Sequence, residues 1–243
     1  LNDFTRYGYK ALLYLQTCVR GKSFPKEEDI SPEERQVTVK PELLNFLMQE
    51  EYMPSSHAKR KGGTLTVVGQ RAQPFPYARM LLQVDAVLTL DIVSEILDSV
   101  DNSSVVESEG WRQRGRTQAA RPPGKQSVVK MVLSLVLPDL ADTKKEQVAL
   151  INSKRATASF LEFAAKYVIR GVVRVDKAVT LMIMDRMASK FGSSSDPSRK
   201  LQARQTIMEL LSALPRDSYD PDKVLAVIEK AGIHRAALLL HQQ

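Results

Sequence analysis

Cysteine, histidine and aromatic residues are scarce in this chain of 243 residues. Its one cysteine, Cys18, excludes an internal disulfide and a zinc finger built on cysteines. The apolar helical surroundings of Cys18 predict a buried packing role, and a reducing compartment such as the cytosol is expected. Aromatic residues make up 6% of the chain, so Leu, Val and Ala supply most of its 43% apolar content. This composition favours closely packed helices over a sandwich of sheets.

The residue patterns of common catalytic and metal sites are also missing. Of the three histidines, His57 lies in a basic stretch, while His234 and His241 are two helical turns apart, about 10 Å, too far to share one zinc ion. No zinc-protease motif, Walker loop or dinucleotide-binding glycine motif occurs. The acidic run Asp217–Asp222 lacks the central Gly and the later Glu of a calcium loop, and helix capping explains it better. We therefore expect no enzymatic activity, no cofactor and no metal, and a closed polar pocket would favour the alternative of a helical enzyme.

Targeting signals are not visible either. No run of 18 apolar residues exists, so no membrane-spanning helix is predicted, and no signal peptide opens the chain. The first residue is Leu1 rather than Met. We expect the chain to be a segment of a longer cytoplasmic protein.

The net charge of +7 favours acidic partners, nucleic acid or anionic lipid. Much of the positive charge lies in two stretches, 53–73 and 101–123, which are predicted to be mobile loop insertions. Solvated loops are the favoured interpretation of both, and Trp111 is expected to pack on its own domain rather than anchor a partner. A basic helical nucleic-acid-binding module is the alternative, although no aromatic stacking platform or basic recognition helix supports it. The candidate interaction residues are Lys59, Arg60, Lys61, Trp111, Arg112, Arg114 and Arg116.

Helical periodicity and helix-start signals dominate the rest of the chain. Asp176, Asp196 and Asp220 are predicted N-caps, the last two each followed by proline at the first helical position. Glu162 and Lys166 are spaced to form a favourable pair on one helix. The apolar positions of that helix step by three and four residues: Phe160, Phe163, Ala164, Tyr167 and Val168.

Four further helices are predicted with specific faces or ends. The first runs to about Arg20, and another is stopped by Pro138 after Leu137. A third begins at 74–77 and is followed by a separate helix over Val87–Val100. The inward residues of the first helix are predicted to be Tyr7, Ala11, Tyr14, Leu15 and Cys18.

The pattern as a whole predicts an all-α fold with about ten helices and little or no sheet. Because short helices alternate with short breaks, we expect helical hairpins stacked in an α-α superhelix, a solenoid, with residues 1–243 as one segment. A plain globular helical domain is the competing interpretation.

Two stretches resemble a known family. Phe75–Glu95 reads FPYARMLLQVDAVLTLDIVSE and is similar to a helix, a Leu-Leu-x-x-Asp corner and a second helix in the eighth vacuolar protein sorting subunit of the CORVET endosomal tethering complex. Lys200–Leu211, KLQARQTIMELL, and Asp222–Leu240, DKVLAVIEKAGIHRAALLL, resemble a later segment of the same family. The last stretch is also similar to clathrin heavy-chain repeats.

The resemblance implies a non-enzymatic scaffold segment that supports protein-protein assembly in endosome and vacuole transport. It implies cytoplasmic, peripheral association with endosome membranes. The partners it implies are the class C core vacuolar protein sorting subunits and an early-endosomal Rab GTPase, bound through the full-length protein. No residue of this chain matches a known contact for either partner.

Overall fold

The fold is all-α, as the sequence predicts. The computed structural model describes residues 3–34, 39–49, 74–100, 124–141 and 153–242. These ranges contain ten α-helices and no β-strand, apart from one isolated bridge between Lys22 and Asp29. The chain divides into two compact units, Leu1–Ile151 and Asn152–Gln243, which are considered separately below. The predicted insertions at 53–73 and 101–123 lie outside the described residues.

Unit 1 is organised around one long helix. Its helices are α1 (Asp3–Val19), α2 (Pro32–Glu34), α3 (Lys40–Leu47), α4 (Pro76–Val100) and α5 (Lys125–Ala141). Helix α4 packs against α1, α3 and α5. It therefore contributes to the packing of three other helices, and its Leu81, Leu90 and Ile96 are almost completely buried.

The buried face of α1 differs from the predicted one. Leu12, Leu15 and Val19 are buried, whereas Tyr7 is 65% exposed. The predicted face was therefore wrong in part, because tyrosine was counted as an inward residue and Gly8 was not. A Cβ atom at Gly8 would clash with the Val84 side chain, so the missing side chain allows α1 to approach α4 closely.

Helix α4 bends at Asp85, where the backbone leaves the helical region (φ −154°, ψ 97°). The Asp85 carboxylate accepts a hydrogen bond from the Leu88 amide (3.0 Å), as an N-cap does for a new helix. The Thr89 hydroxyl donates to the carbonyls of Leu81 (3.0 Å) and Asp85 (2.7 Å), across the bend. The predicted break before Val87 is thus confirmed, and the Leu-Leu-x-x-Asp stretch is the corner itself.

Helix α5 does not stop at Pro138, and this prediction was wrong. The helix continues to Ala141, although proline has no N–H to donate to the carbonyl of Ser134. The preceding turns of α5 bury one apolar residue after another, which stabilises the helix through tertiary packing rather than local propensity. These residues are Val128, Val129, Met131, Val132, Leu133, Leu135 and Val136.

Unit 2 contains five helices with clear capping chemistry. They are α6 (Lys154–Ile169), α7 (Lys177–Ser193), α8 (Pro197–Ala213), α9 (Pro221–Lys230) and α10 (His234–Gln242). The predicted N-caps Asp176, Asp196 and Asp220 are confirmed, since each side chain accepts a backbone N–H. Ser153 caps α6 in the same way, with Ser153 Oγ 3.1 Å from the Ala156 amide.

The helices of unit 2 pack in two layers. Helices α6, α8 and α10 contact one another in order, and α7 contacts α9. Sequential neighbours α6–α7, α7–α8 and α9–α10 join the layers. Contacts between each helix and the next but one are the packing of stacked helical hairpins, so unit 2 is solenoid-like. All five apolar residues predicted for α6 are buried.

Candidate functional site

Unit 1 carries a groove between α1, the turn after it and α3. Its volume is about 410 Å³. One wall is formed by Tyr14 and Phe24, whose rings meet edge to face with centroids 5.8 Å apart. The opposite wall includes Phe46, whose ring packs on Tyr77 with centroids 4.5 Å apart. Further lining residues are Ala11, Leu15, Cys18, Ser23, Ile30, Val39, Glu42 and Leu43.

The turn that borders this unit 1 groove is held by backbone hydrogen bonds. The amide of Ser23 donates to the Glu28 carbonyl, and the amide of Ile30 donates to the Gly21 carbonyl, both at 2.7 Å. Lys22 and Asp29 form an ion pair at 3.3 Å across the same turn. The turn therefore holds Phe24 and Ile30 at fixed places beside α1.

Among the described residues that line the unit 1 groove, Glu42 is the charged one, and the bordering turn carries charge of both signs, with exposed Lys22 and Lys26 beside an acidic run. Glu42 lines the groove from α3, and its side chain is exposed. Glu27, Glu28 and Asp29 follow one another in the turn and are exposed, as are Glu33 and Glu34 in α2. Carboxylates at the edge of an apolar groove favour a positively charged partner.

Two ionisable groups face each other inside the unit 1 groove. Burial raises the pKa of Tyr14, and the neighbouring Cys18 thiol and Glu42 carboxylate raise it further. Burial also raises the pKa of Cys18, against a smaller opposing effect of its hydrogen bond with Tyr14. Cys18 is 4% exposed and its thiol stays protonated at neutral pH, so it reacts slowly, in keeping with its predicted packing role.

Unit 2 has a second groove, of about 360 Å³, between α6 and α8. Its lining is mixed in polarity, with Ala165, Ile169, Met187 and Ala203 among the apolar residues and Lys166, Arg170 and Glu209 among the charged ones. The groove thus lacks a single chemical character, unlike the groove of unit 1.

An ion-pair cluster closes one end of the unit 2 groove. The Glu162 carboxylate contacts Arg186 at 3.3 Å and Lys190 at 3.0 Å. Both cations belong to α7, so Glu162 connects α6 to the next helix, a contact that the i,i+4 spacing with Lys166 did not reveal. Arg186, Lys190 and Glu162 are each about a third exposed, which limits the strength of the pairs.

Positive charge is concentrated in unit 2. Residues 152–243 contain 15 Lys and Arg against 9 Asp and Glu, whereas residues 1–151 contain 20 against 19. The positive charge of 53–73 is therefore offset by acidic residues elsewhere in unit 1, and 101–123 has three acidic residues against four arginines. The net charge of +7 belongs almost entirely to the helical hairpins of unit 2.

The sequence-predicted interaction residues are not placed by the structure. Lys59, Arg60, Lys61, Trp111, Arg112, Arg114 and Arg116 all lie outside the described ranges, and their role stays a prediction.

The structure bears on metal sites and membrane-spanning helices within its described ranges. There, no three His, Cys, Asp or Glu side chains are arranged to hold a metal ion. In the same ranges, none of the helices combines the length and apolar character needed to cross a bilayer.

Sequence reasoning missed both grooves. The groove of unit 1 joins α1 to the 21–30 turn and α3, so its walls are separated in sequence. Two features of the sequence nonetheless pointed to an exposed apolar surface. The charged residues Glu27–Asp29 lie near Phe24, and the tyrosines of α1 lie off the helical face that Leu12 and Leu15 share. Neither signal gives the distance between walls, which depends on how α1 and α3 pack on α4.

In the described ranges both units are all-α, unit 2 stacks helical hairpins, and each unit carries an open groove. Residues 2–97 match the family model described as Vps8 central TPR. Over that range the chain resembles the central helical region of Vps8, the same subunit that Phe75–Glu95 resembles in sequence. The matched range is longer than Phe75–Glu95 and extends to residue 2. No curated protein and no solved structure matches the chain. The resemblance of Lys200–Leu211 and Asp222–Leu240 to the same family lies outside the matched range and stays a prediction.

Proposed function

We propose that the chain is a non-enzymatic scaffold segment of an endosomal vesicle-tethering subunit. The observation that carries the proposal is the match of residues 2–97 to the central helical repeats of Vps8. The stacking of α6, α8 and α10 against α7 and α9 supports it, because such stacking extends a rigid frame by adding hairpins. In this proposal residues 1–243 form one α-solenoid segment of a longer protein.

The geometry supports a role in holding partners rather than in chemistry. A catalytic site needs an acid, a base or a nucleophile gathered with oxyanion donors around one reacting atom. In the ranges that the structure describes, the groove of unit 1 offers one exposed carboxylate, Glu42, beside a protonated thiol. The charged residues of the unit 2 groove include Lys190 and Glu162, which already pair with each other.

The proposed partners are the class C core vacuolar protein sorting subunits and an early-endosomal Rab GTPase, reached through the full-length protein. The proposed location is cytoplasmic, peripheral on endosome membranes. The resemblance to a central helical region supports an internal spacing role within such a subunit, with partners held at other parts of the protein or along its helical surface.

Co-purification from cells tests the proposal. A tagged form of the parent protein should enrich class C core subunits and co-localise with early endosomes. The comparison variant is Gly8→Val in the same protein, which disturbs the contact of α1 with Val84. Enrichment by the wild-type protein that is lost in this variant supports a scaffold role. A wild-type protein that enriches none of the core subunits contradicts it.

Nucleic-acid binding is the second candidate, and the charge excess of unit 2 favours it. Binding through phosphate contacts weakens steeply as salt rises, because each contact releases counterions. Tight binding of generic RNA that falls by about a thousand-fold between low and physiological salt would support this candidate. Absence of such binding removes it without affecting the scaffold proposal.

A further inference from the structure

The unit 1 groove exposes apolar surface that is already fixed in position. Tyr14 is 44% exposed and Phe24 is 42% exposed, although their rings contact each other. The turn that holds Phe24 is fixed by the backbone hydrogen bonds of Ser23 and Ile30. A partner side chain that enters here removes aromatic surface from water with little loss of side-chain freedom in the groove.

The charged residue that lines the groove, Glu42, favours a positively charged partner group. Glu42 stands on the α3 wall, and Glu27 and Glu28 belong to the turn that forms the other border. The same turn also carries two exposed cations, Lys22, which pairs with Asp29, and Lys26, so its charge is mixed and Glu42 is the charge that faces the groove. At the α3 wall an acidic side chain or a phosphate would meet like charge on Glu42, whereas a Lys or Arg side chain would meet opposite charge.

We propose that the unit 1 groove binds a short amphipathic segment of another protein, with large apolar side chains between Tyr14, Phe24 and Phe46 and a flanking Lys or Arg residue beside Glu42. A volume of about 410 Å³ lies near the lower end of the range for binding clefts, about 300–1,000 Å³, and suits a few side chains rather than a domain. The inference rests on the groove alone and not on the tethering role.

Fluorescence anisotropy with the full chain tests the proposal. The probe is a panel of labelled peptides that carry Leu or Phe at helical spacing between Lys residues, each with a matched peptide in which Glu replaces Lys. Lys-flanked members should bind roughly ten-fold or more tightly than their Glu-flanked partners at low salt, and the difference should shrink as salt rises.

Two variants and two matched controls locate the binding. Phe24→Ala should weaken the Lys-flanked peptides roughly ten-fold, because it removes half of the aromatic wall. Glu42→Lys should weaken them several-fold at low salt and less at high salt. Tyr7→Ala removes an exposed ring from the same helix as Tyr14 but outside the groove, and Glu95→Lys reverses an exposed charge on α4; both should leave affinity unchanged.

Cys18 supplies a second readout at the site itself. It is the only cysteine of the chain and lines the groove, so its rate of reaction with a thiol reagent reports on occupancy. A saturating Lys-flanked peptide should slow the reaction several-fold, and the Glu-flanked peptide should not. Glu42→Lys changes an exposed side chain, so its circular dichroism should match the parent chain and keep the test valid even if Phe24→Ala unfolds.

Four outcomes would overturn the proposal. The first is equal binding of Lys-flanked and Glu-flanked peptides across the panel, including no binding of either, and the second is an equal effect of Tyr7→Ala and Phe24→Ala. The third is self-association of the chain that Phe24→Ala abolishes, since the occupant would then be a second copy. The fourth is peptide binding only after deletion of residues 55–68, which contain Lys59–Lys61, because the occupant would then be a segment of this chain. Each outcome leaves the tethering proposal standing, since that proposal depends on binding to the core subunits.

Discussion

Replacement of Gly8 by alanine tests the packing of α1 on α4. A Cβ atom at Gly8 would overlap the Val84 side chain, with Val84 Cβ at 3.3 Å. Valine is stiff at its first side-chain torsion, so the overlap has to be relieved by a helix shift or a strained rotamer. We expect a steric cost of about 1–3 kcal/mol, against a gain of about 1 kcal/mol from the higher helix propensity of alanine.

The same substitution at Gly192 is the matched control. Gly192 lies in α7, and a Cβ atom there would have no heavy atom within 4 Å apart from its chain neighbours and the backbone of its own helix. Gly192→Ala should therefore raise the free energy of unfolding, by up to about 1 kcal/mol, while Gly8→Ala lowers it by about 1 kcal/mol. Opposite signs for one chemical change are expected only if the helices approach each other at Gly8.

Hydrogen exchange measured by mass spectrometry reads both helices in one sample. Exchange in α1 should become about five-fold faster in Gly8→Ala, since 1.4 kcal/mol corresponds to a factor of ten. Adding Val84→Ala should restore part of the loss, with a coupling of about 1–2 kcal/mol in the double-mutant cycle. Stabilisation by Gly8→Ala, or no coupling to Val84, would refute the close approach of α1 and α4.

Three further predictions follow from unit 2. Asp176→Ala should lower the free energy of unfolding by about 1 kcal/mol, measured by urea denaturation, because Asp176 Oδ1 accepts the Val179 amide at 2.8 Å; an unchanged midpoint would argue against the cap. Glu162→Gln should lower the free energy of unfolding by up to about 1 kcal/mol in the same assay, and by less at high salt, because the pairs with Arg186 and Lys190 are partly solvated. A decrease that does not depend on salt would contradict an ionic contact. Burial raises the pKa of Tyr219 above its ordinary value of 10.0, so the unfolded chain loses this proton first. The stability that this group contributes is complete below about pH 10 and is lost as pH rises through the folded-state pKa. The free energy of unfolding of Tyr219→Phe should therefore decline less steeply at alkaline pH than that of the parent chain. An identical decline in both proteins would contradict this prediction.

Local chemistry explains which parts of the fold the sequence could predict. The caps at Asp176, Asp196 and Asp220 need only a side-chain oxygen and the amides two or three residues later, so they follow from adjacent residues. The apolar stripe of α6 is equally local, because a helix repeats every 3.6 residues whatever it packs against.

The features that the sequence did not predict correctly depend on tertiary packing. Pro138 signals a helix end locally, yet α5 passes through it because its apolar residues are buried by packing. Tyrosine has an apolar ring and a polar hydroxyl, so periodicity could not decide that Tyr7 faces water while Gly8 faces α4. The Glu162 carboxylate could have paired along α6 or across to α7, and only the hairpin geometry selects Arg186 and Lys190.

The same limit applies to the groove of unit 1. Its aromatic walls come from α1, a turn and α3, and their spacing depends on the shared support of α4. The sequence could reveal the acidic run 27–29 and the nearby Phe24, but not that Phe46 faces them.

Direct binding to purified class C core subunits, measured by calorimetry at physiological salt with generic RNA as the comparison ligand, tests the scaffold proposal most directly. We expect saturable binding of the parent protein to the core subunits, weakened by Gly8→Val, and no comparable binding of RNA. Binding of RNA with a steep salt dependence, together with no measurable heat from the core subunits, would contradict it.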